Sequence, residues 1–91
     1  MDIEMLRKQA LEVAATYALK VYALKALHQT WDENYFTHVI DRQEFWWKVA
    51  QLPPENHCWE LIKRYFELIA DPETPRNHTR VLYKVLKQRL S

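Results

Sequence analysis

The first third of the chain is apolar on nearly every side. From Ile3 to Trp31 it reads IEMLRKQALEVAATYALKVYALKALHQTW, without glycine or proline. Strong helix formers dominate, so the stretch predicts one long helix. Asp2 is placed to cap it, and Glu4 suits the positive end of the helix dipole. Glu4, Lys8, Glu12, Thr16 and Lys20 recur every four residues and mark the wet side. Glu4 and Lys8 stand in the favoured order for an ion pair, worth only a few tenths of a kcal/mol.

Two apolar faces remain. One carries Ile3, Leu6, Ala10, Val13, Tyr17, Leu24 and Trp31; the other carries Leu11, Ala14, Ala15, Ala18, Tyr22 and Ala26. An ordinary surface helix shows an apolar stripe roughly 100° wide, and a helix apolar almost all round is buried in something. A short chain has few elements with which to surround a helix of ~40 Å. Either the downstream helices wrap it, or a second copy of the chain covers the rest. Alanines at 14, 15 and 18 permit close helix approach in both cases. A membrane span is not expected, because Lys20 and Lys25 interrupt the run. A secretory signal is not expected either, since acids stand at positions 2 and 4.

After the first helix, Asp32-Glu33-Asn34 has turn chemistry. Tyr35 to Ile40 mixes aromatic and β-branched residues, but no second strand candidate exists to pair with it. It reads as a short helix or an ordered connection. Asp41 with Glu44 has the spacing of a capping box and opens a short helix to about Gln51. The two segments merge, on the alternative reading, into one helix from Glu33. Pro53-Pro54 ends this region, with Pro54 and Glu55 in the first turn of the next helix. There Cys58, Leu61, Ile62, Tyr65, Leu68 and Ile69 keep helical period, widened by Trp59 and Phe66. Asp71-Pro72 stops it. Thr74-Pro75 opens a last helix with Val81, Leu82, Val85, Leu86 and Leu90 as its buried stripe. The expected fold is all-α: a small bundle of four or five helices, residues 1–91 forming one domain.

Composition narrows the function. The chain has 91 residues, twelve aromatics and 48% hydrophobic residues, enough for one core. Domains of this size are marginal, which adds weight to oligomerisation. Glycine is absent altogether. A Walker loop or a dinucleotide fingerprint needs glycines so that backbone can approach phosphate, and neither can be built here. A single cysteine, Cys58, excludes an intrachain disulfide framework and suits a reducing cytoplasm. The net charge of +1 forbids no class of partner.

Charge is uneven along the chain. Met1 to Glu73 holds eight basic and twelve acidic residues, while Thr74 onward holds five basic and no acidic ones. Arg76, Arg80, Lys84 and Lys87 follow one side of the last helix. Its first turns also present Asn77 and Thr79. Arginine pairs with guanine, asparagine with adenine, and threonine with phosphate or a thymine methyl. A recognition helix presents such groups to a major groove. Against this, the preceding helix is too long for a helix-turn-helix and the connection lacks the usual glycine. Basic residues in a last turn also suit the helix dipole.

The remaining candidate chemistry is sparse. Trp31, Tyr35, Phe36, Phe45, Trp46 and Trp47 form an aromatic group. Trp46 and Trp47 are about 100° apart on a helix, so one belongs to the core and the other faces outward or a partner. Tryptophan is a preferred interface anchor, and Trp47 is the candidate. His28, His38, His57, His78 and Cys58 raise a metal hypothesis. His28 and Asp32 share a helix face, but no second pair has zinc spacing. His57 and Cys58 are expected to diverge on a helix, with Cys58 on the apolar stripe, where a thiol is inert. No cofactor and no enzymatic activity are expected. The leading reading is a protein-binding helical bundle that self-associates through Leu11, Ala14, Ala15, Ala18, Tyr22 and Trp47. The alternative is a nucleic-acid-binding regulator, or a small subunit of a nucleoprotein complex, using Arg76, Asn77, Thr79, Arg80, Lys84 and Lys87. A third reading places a small molecule in an aromatic pocket near Trp31 and Trp46.

Overall fold

The computed structural model describes residues 2–27 and 32–90. The fold is a small all-α bundle of four helices: α1 Ile3–Ala26, α2 Glu33–Ala50, α3 Cys58–Ala70 and α4 Arg76–Leu90. No strand and no fifth helix occurs among the described residues. None of the described helices is long and apolar enough to cross a membrane. The chain divides into two compact units, residues 2–52 and 53–90.

In the first unit α1 packs along α2. Asp2 caps α1, its carboxylate accepting from the Met5 amide at 3.2 Å. The helix ends at Ala26, with the Leu27 amide turned back to the carbonyl of Ala23 at 3.0 Å. The rest of the predicted helix, from His28 to Trp31, lies outside the described residues. Leu6, Ala10 and Ala14 are buried, and Ile3, Val13, Tyr17 and Leu24 are half-buried. The first apolar face is therefore the core side, with Ala14 at its edge. Glu4 pairs with Arg7 instead of Lys8. Arg7 also donates to the Leu52 carbonyl at 2.8 Å, and that bond fixes the direction: the start of α1 lies beside the end of α2.

The second helix is one element. Asp32 accepts from the Tyr35 amide at 3.1 Å, so Asp32 is the cap and Glu33-Asn34 are its first turn. The alternative reading of one helix from Glu33 holds, and the expected turn at 32–34 and the expected boundary at Asp41 are corrected. Amides within a helix already donate to carbonyls four residues back, so a capping carboxylate at Asp41 has no orphan donor to serve. Val39, Phe45, Trp46, Val49 and Ala50 are buried, and the Phe45 and Trp46 rings meet edge to face, centroids 5.0 Å apart.

The second unit pairs α3 with α4. Helix α3 starts at Cys58, four residues after the expected first turn at Pro54. The intervening segment is held by its own bonds. The Asn56 amide donates to the Pro53 carbonyl at 3.1 Å, and the Trp59 indole donates to the same oxygen at 2.8 Å. Asn56 Oδ1 accepts from the Cys58 amide at 2.8 Å and takes the capping role expected upstream. Cys58, Trp59, Ile62 and Phe66 are buried, whereas Ile69 is exposed. In α4 the buried residues are Tyr83 and Leu86, flanked by half-buried Thr79, Leu82 and Leu90. Val81, expected in the core, is exposed. The α4 stripe runs 79, 82, 83, 86, 90, and position 81 lies well off it.

Candidate functional site

The second face of α1 is left open within its unit. Leu11, Ala15, Tyr22 and Ala26 are exposed and Ala18 is half-buried. Beside it lies a groove of about 340 Å³, lined by Leu11, Ala14, Ala15 and Ala18 from α1 and by Gln43, Glu44 and Trp47 from α2. Its floor is built from methyl groups. Three alanines where larger residues would fill the seam leave a hollow between the two helices. Its far wall is the indole of Trp47, which is 56% exposed while its neighbour Trp46 is 1% exposed. The two differ because adjacent helical residues point about 100° apart.

The groove is large enough for an aromatic side chain, since pockets that hold drug-sized ligands begin near ~300 Å³. Its lining is apolar except at Gln43 and Glu44. These two residues lie four and three positions before Trp47 and so share its face of α2. Glu44 was read from its spacing as a capping group; it is exposed and edges the groove instead. Five of the six residues expected at an interface, Leu11, Ala14, Ala15, Ala18 and Trp47, come together here. The sixth, Tyr22, stands one turn beyond Ala18, 73% exposed. Leu19, 70% exposed, points about 100° away from Ala18 and does not line the groove.

The other candidates disperse. Arg76, Asn77, Arg80, Lys84 and Lys87 lie on the exposed side of α4. Thr79 is half-buried, and its hydroxyl donates to the Arg76 carbonyl at 2.9 Å. It is thus turned back onto its own helix. Trp46 is buried and does not line the groove, and Trp31 and His28 fall outside the described residues. Among the described residues no group of three or more His, Cys, Asp or Glu could hold a metal ion. His57 and Cys58 do not diverge as expected: Cys58 Sγ lies 3.8 Å from His57 Nε2. His57 occupies the N-cap position ahead of the first helical residue. The thiol is buried. The chain matches no protein-family model, no curated protein and no solved structure.

Proposed function

We propose that this chain is a non-enzymatic helical-bundle protein that acts by binding protein, and that it binds a second copy of itself through α1. One observation carries the reading. Large apolar side chains are left exposed at the groove and beside it: Leu11 on α1 and Trp47 on α2 line it, and Tyr22 stands one turn past Ala18. Contiguous exposed apolar patches on small proteins mark interaction sites, and aromatic anchors dominate their energetics. An adaptor, an assembly subunit and an inhibitor would all use such a face. The test is sedimentation equilibrium from nanomolar to high micromolar concentration. A reversible monomer–dimer transition is expected; a monomer throughout would overturn the reading.

The second reading, nucleic-acid binding, draws on the exposed basic side of α4, where Arg76, Arg80 and Lys84 are displayed and no acid stands in the first turn. The orientation of Thr79 weighs against it. Binding through this side would fall steeply with salt, because phosphate contacts release counterions.

A further inference from the structure

We draw no further inference here: the strongest candidate, the apolar groove between α1 and α2 lined by Leu11, Ala14, Ala15, Ala18 and Trp47, carries nothing beyond the reading above because nothing in the structure shows what covers it.

Discussion

The guanidinium of Arg7 donates to the carbonyl oxygen of Leu52, 2.8 Å away and 45 positions along the chain. Its other arm holds Glu4. Arg7 thus fastens the last residue of the first unit to the opening turns of α1, and it does so from a half-buried position. Hydrogen bonds from charged donors contribute about 1.5–3 kcal/mol. Arg7→Met should lower unfolding stability by about that amount, read as a drop in the urea midpoint at constant m-value. Arg7→Lys keeps the charge but not the fork, so it should recover only part of the loss.

Asp32 makes the bond that decides where α2 begins. Asp32→Ala should cost about 1 kcal/mol, as loss of an N-cap does. Glu44→Gln, at the position that mimics the second half of a capping box, should leave stability within about 0.5 kcal/mol. Denaturant titration of the two variants separates a working cap from a coincidental spacing.

The same contrast explains what the sequence made legible. Helical period located α3 and α4, and helix formers without glycine or proline located α1; α2 was legible as one element only on the alternative reading that began at Glu33. Periodicity placed the α1 core side correctly through Leu6 and Ala10. It failed at boundaries, where the decision belongs to single hydrogen bonds. Pro54-Glu55 resembles a helix start, yet Asn56 and the Trp59 indole hold that segment in a turn. In α4, Val81 and Leu82 are equally apolar, and only the position of the stripe through Tyr83 and Leu86 decides which is covered. Leu11, Ala15 and Trp47 were legible as outward apolar residues, whereas Ala14, read with them, is buried at the edge of the core. Gln43 and Glu44 were not legible, because polar residues beside a groove look like any solvated face until the helices are paired.

Trp46 and Trp47 should respond oppositely to truncation. Trp46 is almost fully buried, and a core Trp→Ala change costs about 3–5 kcal/mol. That is much of the ~5–15 kcal/mol available to a domain of this kind. Trp46→Ala should therefore lose cooperative unfolding or shift its midpoint severely. Trp47→Phe should leave the midpoint nearly unchanged. Iodide quenching, compared between wild type and Trp47→Phe, should show Trp47 accessible in dilute solution and protected as concentration rises. A Trp47 signal that stays equally accessible at every concentration would contradict burial of the groove by a second copy.

The Cys58 thiol offers a probe of the second unit. It is buried, with its backbone amide tied to Asn56. A thiol in this position reacts only when the structure opens. Labelling by a chromogenic disulfide reagent should be slow in buffer and should accelerate in step with the unfolded fraction in urea. Asn56→Ala removes the acceptor for the Cys58 amide and should speed labelling before it changes the global midpoint. Fast labelling of the native wild type would place the thiol at the surface.

The basic side of α4 gives the test that separates the two functional readings. Arg76, Arg80 and Lys84 are exposed, so replacing Arg76 and Arg80 with Glu should alter stability by little. On the α1 reading, Arg76→Glu with Arg80→Glu leaves the dimerisation constant unchanged, because neither residue belongs to the groove. On the nucleic-acid reading, the wild type retards labelled mixed DNA or RNA, and the double variant abolishes this. The affinity should also fall with salt at a slope of about 0.9 per neutralised phosphate of duplex DNA. We expect the first pattern, and at most weak retardation that disappears at physiological salt. Retention of binding there, lost on charge reversal at Arg76 and Arg80, would move the functional surface to α4. The apolar face of α1 would then need an explanation other than self-association.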